Sequence, residues 1–174
     1  MRKRRRIVGE RLTKHDVEKI EKEIEYRKLV VRKDAIEAVK EARAQGDLSE
    51  NFEYYAAKKE KNQNESRIRY LERMLKTAVV ISEESKEDEV GLNNTVTLYM
   101  EDDDEEETYR LVTSIRGNSL SGLISTESPI GKAILGHKVG DRVLVKINEN
   151  AGYYVEIKAI SKENDDSQDE IRRF

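Results

Sequence analysis

The chain has 174 residues and a formal net charge of −3, with 40% charged and 36% apolar residues, which is enough apolar content to bury one core or two small ones and too much for a wholly disordered chain. With no cysteine and only His15 and His137, disulfides, thiolate metal sites and a conventional zinc centre are excluded, so any metal would be a hard cation held by carboxylates. The charge is divided: residues 1–77 carry 22 Lys and Arg against 15 Asp and Glu, and residues 78–174 carry 11 against 21, which gives +7 and then −10.

Residues 1–12 form a basic N-terminal extension. Its run Arg2 to Arg6 is followed by Ile7-Val8-Gly9-Glu10 rather than an apolar signal core, and nowhere do 18 apolar residues run together. A cytoplasmic protein with no membrane contact is expected. The basic run itself reads equally as a contact to DNA or RNA and as a solubilising tail.

From Thr13 to Gln45 there is no Gly or Pro, and Val17, Ile20, Ile24, Val31, Ala35, Ala38 and Ala42 recur at helical spacing. The slot between Ile24 and Val31 falls to Arg27 or Lys28, so the apolar seam is interrupted there. Thr13 suits the N-cap. A second helical stretch over Asn51 to Thr77 carries Tyr54, Ala57, Ile68, Leu71 and Leu75 on one stripe, with Lys61 and Asn64 in two intervening slots. The link Gly46-Asp-Leu-Ser-Glu50 is short enough to make the helices antiparallel neighbours, so residues 13–77 are predicted to form a coiled-coil hairpin with arms of about 40 Å. Such a rod is too thin to enclose a ligand but can probe a deep hole.

Residues 78–161 change to short β-like runs at 78–82, 95–100, 108–113, 120–125, 142–147 and 153–160, separated by turn residues. One short helix is predicted at Pro129 to Leu135, capped by Ser128 and ended by Gly136. The fold class is therefore α+β, a helical hairpin followed by a compact antiparallel-sheet domain. Seven consecutive acids, Glu101 to Glu107, read as a solvated hairpin loop. Residues 162–174 read as a flexible polar tail.

The tip, Gln45-Gly-Asp-Leu-Ser-Glu-Asn51, is the most informative segment. Gly46 suits the end of the first helix, and Asp47 with Glu50 has the D-x-x-E spacing of a capping box for the second. The same two carboxylates could hold one Mg²⁺, an ion often bound by only one or two carboxylates, with waters and phosphates completing the octahedron. That pair is half of a shared site rather than an independent one.

The stretch Ala42-Arg-Ala-Gln-Gly-Asp-Leu-Ser-Glu-Asn-Phe-Glu-Tyr-Tyr-Ala-Ala-Lys58 resembles the tip signature of the Gre transcript cleavage factors, bacterial transcription elongation factors. Ser128-Pro-Ile-Gly-Lys-Ala-Ile-Leu-Gly-His-Lys-Val-Gly-Asp141 resembles the same family's Ser-Pro-Ile segment, and the likeness is closer to the GreA branch than to GreB. The resemblance implies an FKBP-like globular domain and a coiled coil that enters the secondary channel of RNA polymerase. It implies that Asp47 and Glu50 help hold a Mg²⁺ shared with the polymerase active site and its attacking water, so that backtracked RNA is cleaved at its 3′ end and arrested complexes are rescued. Arg43 and Lys58 match basic positions that contact RNA, and Asn51 and Tyr54 match positions that orient the tip. Ser128, Pro129 and Ile130 match the surface that docks on a coiled coil of the largest polymerase subunit. A monomeric accessory factor, not an enzyme by itself, is expected.

Two departures from the family are the basic extension through Val8 and the acidic run Glu101 to Glu107. Two other functions compete: a Gre-like channel-binding protein that modulates or inhibits polymerase without cleavage, and a prolyl isomerase with a helical appendage. Intact Asp47 and Glu50 disfavour the first, and the scarcity of aromatics in residues 78–174 disfavours the second.

Overall fold

The computed structural model describes residues 9–46, 50–163 and 165–173. The basic run Arg2 to Arg6 and the tip residue Asp47 therefore lie outside the described residues. The chain divides into two compact units, one built on Lys14–Val79 and the other on Arg11–Thr13 with Val80–Arg173. Among the described residues no helix is long and apolar enough to cross a membrane.

In the first unit α1 (Lys14–Tyr26) passes through a π-helical turn, Arg27–Val31, into α2 (Arg32–Ala44), and α3 (Phe52–Thr77) packs back against all three. Their pairings run in opposite directions, from Ala42 with Asn51 through Arg32 with Glu65 to Glu23 with Arg67, so the hairpin is antiparallel. Its large buried apolar side chains, Ile20, Ile24, Ile68, Leu71 and Met74, lie in the half away from the tip, and the small Ala42 is buried near the tip.

The predicted interruption of the seam is where the helix departs from α geometry. Arg27 occupies the slot and donates to Glu23 Oε1 at 2.7 Å and to Asn64 Oδ1 at 3.2 Å, while Arg67 grips both Glu23 oxygens at 2.9 and 3.1 Å. The Arg27 carbonyl accepts from Arg32 N–H across the π turn and from Asn64 Nδ2 at 3.3 Å. A π turn inserts one residue and rotates the following face. From the end of the turn onward, Val31 and Ala35 are half-buried and Ala42 is buried, as expected, whereas Ala38 is exposed and Val39 is half-buried in its place.

In the second unit β1 (Arg11–Leu12), assigned by sequence to the N-terminal extension, instead forms a strand whose Leu12 carbonyl accepts from Ile81 N–H just after β2 (Val79–Val80). The main sheet has β3 (Thr95–Met100), β4 (Glu105–Val112), β5 (Leu123–Ser125), β6 (Arg142–Lys146) and β7 (Gly152–Ser161) in the order β5-β4-β3-β7-β6. Three pairings are antiparallel, as expected of an antiparallel-sheet domain, and the short edge strand β5 joins β4 in parallel. One face of the sheet buries Val96, Leu98, Leu111, Val145, Val155 and Ile157 together with Ile134 of α4 (Pro129–Ile134). The β3 pattern alternates half-buried and buried residues, as a strand covered on one face requires.

The acidic run is not all loop. Glu105, Glu106 and Glu107 begin β4, opposite Met100, Tyr99 and Leu98, leaving a tight turn over 101–104. Tyr99 Oη donates to Asp104 Oδ1 at 2.6 Å, and Arg142 forms a bidentate pair with Glu101 at 2.5 and 2.8 Å, so ladder pairing and specific partners offset the repulsion expected to keep a loop open.

The segment expected to fray is also held. Arg172 N–H donates to Ile115 C=O at 2.7 Å, Arg110 binds the Asp165 carbonyl and the Asp169 carboxylate, and fully buried Arg116 meets Asp169 Oδ2 at 3.1 Å and Asn93 Oδ1 at 2.7 Å.

Candidate functional site

The hairpin tip is built from the end of α2 and the start of α3. Gln45 is the C-cap, and Gly46 has φ +123, a backbone conformation that a side chain would strain, so the predicted glycine stop is observed. The expected capping box is not. α3 starts at Phe52 with Asn51 as its N-cap, so Glu50 precedes the cap and cannot be the partner at the third helical position. Asn51 Oδ1 accepts from Tyr54 N–H at 2.9 Å, and Asn51 Nδ2 donates to the Ala42 carbonyl at 2.8 Å. One side chain thus satisfies a free N–H of α3 and a free C=O of α2.

Glu50 is exposed and makes no side-chain hydrogen bond or ion pair among the described residues. No group of three or more His, Asp or Glu among the described residues could hold a metal. Of the two predicted tip acids only Glu50 lies among the described residues, and one carboxylate fits Mg²⁺ completed by other ligands rather than a self-sufficient centre.

The remaining tip residues are brought together around one ring. The Arg43 guanidinium lies 5.7 Å and the Lys58 ammonium 5.9 Å from the centroid of Tyr54. The hydrogen bond from Arg43, aided by the charge of Lys58, holds the Tyr54 phenol below its ordinary range. Lys58 follows Tyr54 by four residues, a spacing that places it beside the ring, whereas the approach of Arg43 depends on how α2 meets α3.

The second predicted surface is the start of α4. Ser128 Oγ accepts from Gly131 N–H at 3.0 Å and donates to Ser125 C=O at 2.6 Å, so its hydroxyl is engaged as a cap. Pro129 is exposed in the first turn, and Ile130 packs partly against the sheet core. A Cβ on Gly131 would sit 2.0 Å from the Ser125 carbonyl, so the close approach of helix and strand requires glycine. The concavities of this unit include open grooves of about 580 Å³ over Leu144 and residues 146–152 and about 400 Å³ beside Tyr109 and Arg110, neither of them an aromatic-lined proline pocket.

Two family models match the chain: Transcription elongation factor, N-terminal, over residues 10–80, and Transcription elongation factor, GreA/GreB, C-term, over residues 84–162. The chain belongs to the GreA/GreB family of transcription elongation factors. It is 48% identical over 136 residues to the transcription elongation factor GreA of Geobacillus kaustophilus, covering 78% of this chain and 86% of that one. With GreA of Macrococcus caseolyticus it shares 43% over 150 residues, covering 86% and 95%. Among solved structures, GreA factor homolog 1 of Thermus thermophilus is 30% identical with a TM-score of 0.41, covering 88% of this chain and 99% of that one.

As a GreA/GreB-family member the chain is a transcription elongation factor, an accessory of RNA polymerase rather than an enzyme in its own right. Both the tip and the start of α4 fall inside the matched ranges, whereas residues 1–9 and 163–174 fall outside them.

Proposed function

We propose that this GreA/GreB-family factor inserts its hairpin tip into the secondary channel of bacterial RNA polymerase and stimulates the polymerase's own cleavage of backtracked RNA. Asp47 and Glu50 would help hold a Mg²⁺ shared with the polymerase active site. The observation that carries this reading is the release of Glu50 from capping: Asn51 satisfies the helix end, which leaves the Glu50 carboxylate exposed at the end of the rod. When bound, Mg²⁺ supplies activation of a water and charge stabilisation in phosphodiester hydrolysis.

The chain's own residues position that carboxylate and prepare the surroundings for RNA. Asn51 locks the α3 start to the α2 end, so Glu50 is presented from a fixed backbone rather than from a frayed helix. Tyr54 gathers Arg43 and Lys58 into one positive cluster, suited to phosphates of the extruded RNA. In the sheet unit, exposed Pro129 in the capped turn is the apolar contact for a coiled coil of the largest polymerase subunit, and Ser128 and Ile130 hold the turn that presents it. The factor would act as a monomer, and Arg2 to Arg6 would add a contact to nucleic acid.

A purely steric channel blocker needs no exposed carboxylate at its tip, whereas metal delivery does, which favours the cleavage reading. The test uses stalled complexes with labelled RNA: the factor should release 3′ fragments only when polymerase is present. Fragments from free RNA would overturn the accessory role. No fragments from backtracked complexes would overturn cleavage.

A further inference from the structure

The π turn in the first arm sets the facing of every residue beyond it. One residue is about 100° of α-helix, and a π turn carries one residue more than an α turn. Continued as plain α-helix from Ile20 and Ile24, the seam would run through Val31, Ala35, Ala38 and Ala42. With the turn, Val39 is half-buried and Ala38 is exposed. Both slots are apolar. Burial along the seam therefore offers α2 two phases, one residue apart, and does not by itself choose between them.

The choice falls to one amide on the other arm. Asn64 is 4% exposed, and both ends of its side chain meet Arg27: Nδ2 donates to the Arg27 carbonyl at 3.3 Å, and Oδ1 accepts from the Arg27 guanidinium at 3.2 Å. That carbonyl is the one whose backbone partner is Arg32, five residues on rather than four. A side chain that enters the backbone ladder is a known cause of a break in α geometry, and a single polar residue in a coiled-coil seam fixes register. Asn64 does both. Glu23, gripped by Arg27 and Arg67, holds the Arg27 side chain from one turn back.

The phase shows at the tip. Arg43 lies about 24 Å farther along the arm than Arg27, with its guanidinium 5.7 Å from the Tyr54 centroid. A change of one residue in phase would swing Arg43 about 100° around α2, whereas Tyr54 and Lys58, both on α3, would keep their places. We propose that Asn64 is a positioning residue for the tip: by holding the π turn it selects the phase of α2 that aims Arg43 at Tyr54. Asn64 stands about 15 Å along α3 from Tyr54 and acts through the helices. Its role rests on the Arg43–Tyr54 contact and not on what the tip binds, so it stands or falls separately from the cleavage reading.

The experiment is solution NMR of the full chain, following contacts between the Arg43 side chain and the Tyr54 ring in the wild type, Asn64→Leu, a deletion of Leu29, and both changes together. Leu29 is 65% exposed within the turn. Without it Arg32 becomes the fourth residue after Arg27, so their existing hydrogen bond becomes α-helical and the phase beyond is kept. Asn64→Leu should lose the Arg43–Tyr54 contacts and let the Tyr54 phenol titrate higher, since the bond from Arg43 is what chiefly lowers it. The deletion alone should keep both signatures, and the combined form should regain them, which a merely structural asparagine would not allow. If Asn64→Leu does not fold, recovery of helical circular dichroism and of the contacts in the combined form supports the same role. Unchanged contacts in a folded Asn64→Leu chain would overturn the proposal, as would their loss in the deletion alone or in the combined form.

Discussion

Asn51 bridges the two helix ends of the tip, donating to the Ala42 carbonyl at 2.8 Å and accepting from Tyr54 N–H at 2.9 Å. Asn51→Ala removes both bonds and should destabilise the hairpin by about 1–2 kcal/mol. Asn51→Asp keeps the cap but replaces the donor facing Ala42 with an acceptor, and should cost about 1 kcal/mol. Urea unfolding followed by helical circular dichroism reads both values. If Asn51→Asp equals the wild type, the Ala42 bond contributes nothing.

The ion cluster within the hairpin makes its stability sensitive to acid. Burial alone would raise the Glu23 carboxyl, but the hydrogen bonds and charges of Arg67 and Arg27 hold it below its ordinary value of 4.5. A depressed folded pKa means stabilisation that is present above the unfolded value and lost as pH falls through the folded one. Glu65, paired with Arg32, shifts in the same direction. Hairpin stability should therefore be level near neutrality and decline once pH drops below about 4.5. Glu23→Gln should flatten that decline while lowering stability at pH 7, measured as midpoints of urea unfolding across pH. An unchanged acid slope in Glu23→Gln would remove Glu23 from the account.

At the start of α4, capping and docking separate by residue. Ser128→Ala loses the bond to Gly131 N–H and should cost the sheet unit about 1 kcal/mol. Pro129→Asp, at an exposed position, should leave thermal unfolding nearly unchanged while weakening binding to polymerase at least tenfold, equivalent to about 1.4 kcal/mol. Undiminished binding by Pro129→Asp would take this turn out of the docking surface.

What was legible in the sequence follows the range of the interactions involved. Helical spacing at Ile20, Ile24, Ile68 and Leu71 marks side chains that are buried in the hairpin, and Ser128-Pro129 marks a helix start that is found there. The π turn is not legible in the sequence because a charged residue in an apolar slot reads only as a gap; the partner of Arg27, Asn64, lies on the other arm. At the tip, two N-cap residues stand within five positions, Asp47 and Asn51. The D-x-x-E spacing favoured the first, whereas the bond to Ala42, nine residues back, favours the second. Low apolar content makes residues 162–174 read as a frayed tail, yet Asp165 and Asp169 are held by Arg110 and Arg116, more than 50 residues away. Glu105 to Glu107 likewise owe their strand to β3 rather than to their own propensity.

The central claim is that the two tip acids act on RNA rather than on the helix end. Because Asn51 provides the cap, Asp47→Asn and Glu50→Gln should each leave unfolding within about 1 kcal/mol of the wild type. The deciding measurement is the rate of RNA 3′-end cleavage in backtracked polymerase complexes with the wild type and each amide variant at saturating factor. A loss of a hundredfold or more in both variants, with polymerase binding retained, is the predicted result, and cleavage at the wild-type rate in both would contradict the account.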